Sequence, residues 1–322
     1  MHEQTCTLSL VSIPSIPFSS MGALLPLLSL LCSLTLLLQG AEPATFTITN
    51  SCDYTMWPGI LSNAGVSPPS TTGFVLPSGQ SLTVTVASTW SGRIWGRTLC
   101  VTDSSGSFAC ATGDCGSGAV ECSGSGAAPP ATLAEFTLAG GTGGNDFYDV
   151  SLVDGFNMPM LVAPQVPSAT NGSCQATGCP ADLNKACPAD LRVASSDGGA
   201  AAVACRSACE AFREARYCCS GAYGSPATCA PTSYSLFFKA ACPSAYSYAY
   251  DDATSTFTCA AAGGGYDVVF CPSTSSQKSG GNAEAPSNPT MPFSGDAEHL
   301  ASRKAVAALL VVIVSVVSTR RW

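Results

Sequence analysis

Gly106–Cys122 reads GSFACATGDCGSGAVEC, and this stretch decides the fold. It sets Cys110, Cys115 and Cys122 among glycines, which leaves few side chains from which to build a hydrophobic core. Covalent links must therefore hold the loop. Three cysteines this close together also suit a zinc site. The stretch has no histidine, however, and the chain carries export signals, so disulfides are favoured.

Composition and charge restrict the class of protein. The chain has 322 residues, 18 cysteines and a net charge of −8, which allows one or two domains. Cysteine use this high in an exported chain indicates an oxidising compartment. An acidic protein repels the phosphate backbone, so nucleic acid is not an expected partner. A neutral or cationic ligand is expected, with no cofactor and no metal.

Histidine is absent from the cysteine-rich region. Two cysteines fall near the N-terminus and sixteen fall between Cys52 and Cys271, an even set that permits complete pairing. His2 and His299 both lie outside that region. A Ser-His-Asp triad, a Cys-His pair and a histidine-ligated metal are therefore excluded there. Carboxylates remain for acid–base chemistry.

The N-terminal 40 residues predict a leader and a secretory signal peptide. Gly22–Leu38 reads GALLPLLSLLCSLTLLL and is followed by small residues at Gly40 and Ala41. A membrane helix is the alternative, but Pro26 interrupts the run. Either Met1 or Met21 is the start.

The C-terminal part predicts a stalk and an anchor. Residues 273–304 are rich in Ser, Gly, Asn and Pro, a composition typical of a disordered stalk. Residues 305–322 begin with an apolar run that would span only about 21 Å as a helix, short of the roughly 30 Å hydrocarbon core. A glycolipid-anchor signal is favoured over a short transmembrane tail, although Arg320 and Arg321 suit a cytoplasmic flank. The protein is then tethered to the outer face of the plasma membrane.

Alternating apolar residues predict a mainly β fold. Thr45–Thr49 and Ser81–Ala87 show strand periodicity and are separated by turn residues, which favours a β-sandwich or flattened barrel. Residues 174–242 are cysteine-rich and predict a smaller, partly helical lobe, with a short helix over Ala204–Ala215. Asn171 begins a glycosylation sequon.

Two strands predict a pair of facing carboxylates. If the hairpin between Thr132–Leu138 and Asp146–Leu152 is centred on Thr142, Glu135 stands opposite Asp149. Alternation then places both acids on the polar face. A slipped register is the alternative, because the turn is rich in glycine.

Other charged residues lie close to these strands in the sequence. Asp154 follows in a turn and extends the acidic cluster. Arg93 and Arg97 lie four residues apart on one strand and therefore share a face, so at least one is expected in a cleft.

These motifs together resemble the thaumatin-like, pathogenesis-related protein family, in its plant form with a C-terminal extension. The resemblance covers Ala44–Pro272 and rests on G-x-F-x-C-x-T-G-D-C, SGRIWGRT, PPATLAEFTL, DFYDVSLVDGFN and CPSAYSYAYDDATSTFTC. It implies a thaumatin-like β-sandwich packed on a disulfide-rich lobe, with an acidic cleft between them.

The resemblance also implies specific residues. The cleft set falls on Arg93, Glu135, Asp149, Asp154 and Asp251 or Asp252. The implied disulfides are Cys52–Cys271, Cys100–Cys110, Cys115–Cys122, Cys174–Cys259, Cys179–Cys242, Cys187–Cys205, Cys209–Cys218 and Cys219–Cys229. Spacing alone could not choose among so many connectivities.

Three functions follow as expectations. The first is a secreted, monomeric, antifungal defence protein that binds the β-1,3-glucan of fungal walls, with Phe147, Tyr148 and Phe156 near the cleft. The second is an endo-β-1,3-glucanase in which Glu135 is the acid and Asp149 the nucleophile or base, held ionised by Arg93. The third is an inhibitor of amylase or protease.

Overall fold

Thirteen β-strands and four short α-helices form the described part of the chain. The computed structural model of the protein describes residues 43–140, 144–165, 174–195, 201–260 and 265–273. Several predicted segments lie outside these residues: the signal segment, the sequon at Asn171, most of the stalk and the anchor segment. The expectations for them therefore stay predictions. Within the described residues, no helix has the length and apolar character needed to cross a bilayer.

The strands alternate with turns until the lobe begins. They are β1 (Ala44–Asn50), β2 (Trp57–Ser62), β3 (Ser81–Val86), β4 (Ser91–Thr102), β5 (Phe108–Thr112), β6 (Leu133–Thr137), β7 (Asn145–Ser151), β8 (Met160–Pro164), β9 (Thr177–Cys179), β10 (Arg192–Ala194), β11 (Ala202–Cys205), β12 (Phe257–Ala260) and β13 (Tyr266–Phe270). The helices are α1 (Ala208–Phe212), α2 (Ala215–Cys218), α3 (Ser233–Ala241) and α4 (Asp252–Ser255), with 3-10 turns at Ala189–Leu191 and Gly221–Tyr223.

Two sheets form an open sandwich. The first has the order β3-β1-β13-β8-β9, in which β1 and β13 run parallel and the other pairs antiparallel. The second has the antiparallel order β12-β7-β6-β4-β2, with β5 paired to the end of β4. In the described ranges no strand pairing joins the two sheets, so the sandwich does not close into a barrel. The mainly β fold class is confirmed.

Aromatic side chains from both sheets meet in the core. The ring of Phe46 on β1 lies 4.6 Å from that of Phe136 on β6, centroid to centroid. Phe136 also lies 5.3 Å from Tyr266 on β13. Such pairs add about 0.5–1.5 kcal/mol each beyond the area they bury. Because side chains alternate along a strand, the even-numbered residues of β6 and β7 enter this core and the odd-numbered ones face away from it.

Eight disulfides brace the sandwich and the lobe. They join Cys52–Cys271, Cys100–Cys110, Cys115–Cys122, Cys174–Cys259, Cys179–Cys242, Cys187–Cys205, Cys209–Cys218 and Cys219–Cys229. These are the pairs that the family resemblance implies. The zinc interpretation of the central loop is wrong, because Cys110, Cys115 and Cys122 are all consumed by disulfides and present no thiolates.

The lobe helix is shorter than the sequence predicts. Cys205 lies at the end of β11, where its carbonyl accepts a hydrogen bond from the backbone N–H of Phe156 at 2.8 Å. The Ser207 hydroxyl then caps the N-terminus of α1 by accepting from the N–H of Glu210 at 3.1 Å. Arg213 ends the helix in a left-handed conformation, with φ of 56°. A helix over the whole of Ala204–Ala215 was therefore wrong.

The central loop folds around one carboxylate. Asp114 accepts from the backbone N–H of Cys110 and from that of Gly116, each at 2.6 Å. Gly113, with φ of 65°, packs so closely that a Cβ there would lie 2.8 Å from the carbonyl oxygen of Gly96. The T-G-D-C motif thus combines a residue free to adopt positive φ with a side chain that caps the turn.

Arg97 joins this loop to the sheet and does not face a cleft. Its side chain is fully buried. The guanidinium donates to the carbonyl oxygens of Trp57 at 3.1 Å, Pro58 at 3.0 Å and Val120 at 2.6 Å. Burial lowers the pKa of Arg97 to about 10, so it remains protonated at neutral pH. Of the two arginines expected on this face, Arg93 alone stays a cleft candidate.

Candidate functional site

Three charged residues lie side by side across the second sheet. Arg93 on β4 pairs with Glu135 on β6, and Glu135 pairs with Asp149 on β7. The next row in the same register is Ile94, Ala134 and Val150, and all three are fully buried in the core. Alternation therefore places the charged row, which we call the acidic row, on the opposite face. The register is the one that a hairpin centred on residue 142 predicts, although that centre lies outside the described residues.

Two buried polar atoms of the acidic row lack a hydrogen-bond partner within the described residues. Arg93, Glu135 and Asp149 are each partly buried. Among the described residues, Nε of Arg93 and Oδ1 of Asp149 are shielded from solvent and have no hydrogen-bond partner. Most buried polar groups are paired, so two such atoms in one row require an explanation. An unpaired buried group costs about 1–3 kcal/mol, which a bound ligand can recover after a small side-chain adjustment.

Burial raises the pKa of both carboxyls of the acidic row, and more so that of Asp149. Burial, with smaller effects from the charges of Glu135 and Asp252, raises the pKa of Asp149 to about 8. Burial also raises the pKa of Glu135, but the positive charge of Arg93 opposes that rise. Asp149 is therefore the proton carrier of the pair and Glu135 the more readily ionised member. The expectation that Arg93 holds Asp149 ionised is wrong, because Arg93 lies beside Glu135.

Asp154 lies in the turn that follows β7. Its negative charge raises the pKa of Glu135 further, which places it electrostatically close to the row. The turn is tight, since Gly155 has φ of 89° and a Cβ there would lie 2.7 Å from the carbonyl oxygen of Cys205. A glycine at this position allows the sandwich strand to turn directly against the lobe.

Asp251 and Asp252 have different roles. The carboxylate of Asp251 forms an ion pair with Lys239 at 2.9 Å and accepts from the N–H and hydroxyl of Ser247 at 3.0 and 2.9 Å. These contacts commit it to holding α3 of the lobe. Asp252 is exposed, and its charge contributes to the raised pKa of Asp149. Of the two residues that the sequence left open, Asp252 is the one whose charge contributes to the raised pKa of Asp149, so Asp252 stays the cleft candidate.

Tyr246 belongs to the site and was missed in the sequence. Its N–H donates to the carbonyl of Val150 at 2.9 Å, and its carbonyl accepts from the N–H of Leu152 at 2.8 Å, so it lies against β7. The hydroxyl donates to Asp252 at 2.8 Å and contacts the hydroxyl of Thr256. Burial, followed by smaller effects that include the charges of Asp252 and Asp149, raises the pKa of Tyr246 to about 12. The alternating tyrosines of SAYSYAY were the available signal.

The three aromatic residues expected near the cleft differ in their exposure to solvent. Phe147 lies on β7 two residues from Asp149, on the same face, and is 49 % exposed. Tyr148 is buried in the core, where its hydroxyl donates to the carbonyl of Gln175 at 2.6 Å. Phe156 is likewise fully buried. A ligand cannot reach either of these two, so the expectation that Tyr148 and Phe156 bind ligand is corrected.

Comparison with known proteins places these features in context. The model of the thaumatin family matches residues 50–272. The chain is 55% identical over 246 residues to thaumatin-like protein 1 of Prunus persica, covering 76% of this chain and 97% of that protein. It is 53% identical over 252 residues to thaumatin-like protein 1 of Arabidopsis thaliana, covering 77% and 93%. It is 51% identical over 253 residues to a protein of Prunus avium named glucan endo-1,3-beta-glucosidase, covering 78% and 100%.

Proposed function

The chain belongs to the thaumatin family, and from that premise we propose that it is a secreted defence protein whose acidic row binds the β-1,3-glucan of fungal cell walls. One observation carries the proposal. Arg93, Glu135 and Asp149 stand in one row, and within the described residues Nε of Arg93 and Oδ1 of Asp149 are buried without a hydrogen-bond partner. The row therefore retains its capacity to bind a ligand.

The chemistry of the row suits a neutral sugar. Sugar hydroxyls both donate and accept hydrogen bonds, so they match the guanidinium of Arg93 and the carboxyls of Glu135 and Asp149 together. Phe147 adds an exposed apolar ring on the same face. A neutral polysaccharide also meets no repulsion from a protein with a net charge of −8.

Secretion is supported by the disulfides. Eight disulfides persist only in an oxidising environment such as the secretory pathway and the cell exterior. We propose a monomer tethered to the outer face of the plasma membrane by a C-terminal glycolipid. Treatment of expressing plant cells with phosphatidylinositol-specific phospholipase C then releases the protein. Retention on the membrane after treatment would instead indicate a transmembrane tail.

Glucan selectivity tests the binding proposal. Purified protein is mixed with insoluble β-1,3-glucan or, as the matched control, insoluble β-1,4-glucan, and the protein left in solution is measured. We expect depletion by the β-1,3-glucan alone, and at least tenfold weaker binding for Glu135→Gln, a loss of about 1.4 kcal/mol. Equal binding of both polymers, or undiminished binding by the variant, contradicts the proposal.

A glucanase activity is the second candidate, because the two carboxyls have different environments. Glycoside hydrolysis needs one protonated and one ionised carboxyl. Asp149 protonates the leaving glycosidic oxygen, while the carboxylate of Glu135 attacks the anomeric carbon and forms a glycosyl ester. Ionised Asp149 then takes a proton from water, whose oxygen attacks the anomeric carbon and releases Glu135. These roles reverse those expected from the sequence.

The strand pairing also predicts the stereochemistry. Directly opposed residues have Cβ atoms about 4.5–5.5 Å apart, which favours the close carboxyl spacing of retaining enzymes, about 5–5.5 Å, over the wider spacing of inverting ones. The test is release of reducing ends from laminarin, with the product anomer followed by NMR. Loss of release in both Asp149→Asn and Glu135→Gln, but not in the exposed control Asp190→Asn, supports hydrolysis. Binding without release by the wild-type protein removes this candidate.

A further inference from the structure

A second groove, of about 770 Å³, lies apart from the acidic row and shares no residue with it. Its walls come from the segment after β1 and from the lobe, and the Cys52–Cys271 disulfide borders it. The volume lies within the roughly 300–1,000 Å³ range of small-molecule sites. Nothing in the proposed function uses this groove.

The groove combines balanced charge with an exposed ring. Asp53 and Asp182 provide two negative charges, and Lys185 and Arg192 provide two positive charges. Lys185 pairs with Asp182 at 3.1 Å in a solvent-exposed ion pair. Tyr54 is 44 % exposed at the wall. An ionic ligand gains little from balanced charges, whereas an uncharged polar ligand finds donors, acceptors and an aromatic surface.

Asn184 is a fixed polar group in the groove wall. Its amide nitrogen donates to the carbonyl oxygens of Asn157 at 2.9 Å and Val203 at 3.2 Å, so the side chain is held in one orientation. Its Oδ1 is shielded from solvent and has no partner within the described residues. Within the described residues, only two other buried side-chain atoms lack a hydrogen-bond partner, Nε of Arg93 and Oδ1 of Asp149, and both belong to the acidic row. An acceptor held in place without a donor is the arrangement that a ligand hydroxyl completes after a small local adjustment.

We propose that this groove is a second binding site for a neutral oligosaccharide, with a sugar ring against Tyr54 and hydroxyls toward Asn184 and the charged rim. The site is independent of the acidic row, because the two share no residue. A sugar presents an apolar ring face and a polar edge at once, as the tyrosine and the amide require.

Calorimetric titration of four hexasaccharides tests this site. Laminarihexaose, cellohexaose, xylohexaose and chitohexaose are each titrated into the full chain and into Tyr54→Ala, Lys185→Ala, Arg93→Met and Tyr223→Ala. Tyr223 is the matched control, since it is 40 % exposed and lies outside the groove. Lys185→Ala changes a highly exposed side chain, so it probes the groove even if Tyr54→Ala fails to fold.

The expected result is at least one sugar whose dissociation constant rises fivefold or more in Tyr54→Ala or Lys185→Ala while Arg93→Met and Tyr223→Ala leave that binding event unchanged. The proposal is overturned if every sugar binds both groove variants as it binds the wild-type chain. It is also overturned if the only binding event affected is one that Arg93→Met weakens equally. Either failure leaves the acidic row untouched, because that row is tested by Arg93→Met separately.

Discussion

Glu135 and Asp149 are direct cross-strand partners on neighbouring antiparallel strands, with both carboxyls on the face that points away from the core. Like charges placed directly opposite destabilise a sheet by about 0.2–1 kcal/mol. The protein reduces this repulsion in two ways. Arg93 lies on the far side of Glu135, and burial keeps a proton on Asp149. Protonation of Asp149 thus removes one of the two facing negative charges.

The raised pKa of Asp149 predicts how stability changes with pH. The pKa is 3.8 in its ordinary environment and about 8 in the folded protein. Between these values the folded protein holds a proton that the unfolded chain has released, so the free energy of unfolding falls as the pH rises from about 4 to about 8. Asp149→Asn removes the titrating group. Between pH 4 and pH 9 the melting temperature should fall less in this variant than in the wild-type protein. Parallel curves for wild type and variant would contradict the raised pKa, and the exposed Asp190→Asn should follow wild type.

Phe147 should contribute to binding and not to folding. Its ring is 49 % exposed on the face of the acidic row, so Phe147→Ala removes contact area for a ligand and little from the core. We expect a three- to tenfold weaker affinity for laminarihexaose, a loss of about 0.7–1.4 kcal/mol, with an unchanged melting temperature. Leu236→Ala is the matched control, since Leu236 is 53 % exposed on the lobe. Equal affinities for wild type and Phe147→Ala would remove this residue from the site.

Arg97 should contribute to folding and not to binding. Arg97→Met removes the donor that the carbonyl oxygens of Trp57, Pro58 and Val120 share, and among the described residues only Pro58 of the three has another donor outside the sheet ladder, the N–H of Phe74 at 3.4 Å. Each unsatisfied buried acceptor costs about 1–3 kcal/mol, so we expect a loss of roughly 2 kcal/mol or more in the free energy of unfolding. Denaturant unfolding with the disulfides intact measures it. A loss under about 1 kcal/mol, the usual range for a surface substitution, would show that the loop does not depend on this arginine.

The ion pair of Lys239 with Asp251 should link the lobe to the segment that carries Asp252. Lys239 also donates to the carbonyl of Ala245 at 3.1 Å and to Ser255 at 2.8 Å. Lys239→Met leaves Asp251 largely buried without its cation, and such a break costs about 3–5 kcal/mol. Adding Asp251→Asn should recover part of that loss. A double-mutant cycle of unfolding free energies that shows no coupling would contradict the pairing.

The sequence predicted the fold and the carboxylate pair because both depend on local patterns. Strand alternation and the glycine-rich turn were enough to place Glu135 opposite Asp149. Alternation also places Tyr148 with Val150 on the core side, so its burial followed from the same pattern that positioned the acids. The disulfide pairing came from the family resemblance, since spacing cannot select one connectivity.

The remaining features depend on contacts between distant segments. Arg93 and Arg97 share a strand and a face, yet the carbonyl of Val120 from the central loop reaches Arg97 alone. The sequence pattern also could not show that Arg93 lies beside Glu135. The long connection between β4 and β6 leaves the register of these two strands undetermined. Asp251 is distinguished from Asp252 by Lys239 of α3, twelve residues earlier in the sequence. No local periodicity encodes these contacts.

The affinity of Arg93→Met for laminarihexaose tests the central claim most directly. Methionine removes the N–H donors of the row and keeps much of the side-chain length, so the fold should persist. The account predicts at least a tenfold rise in the dissociation constant, a loss of about 1.4 kcal/mol, together with an unchanged constant for Arg213→Met, whose side chain is 72 % exposed in a surface pair with Glu210. An affinity equal to wild type in a folded Arg93→Met protein would contradict the account, because the acidic row would then not be the site.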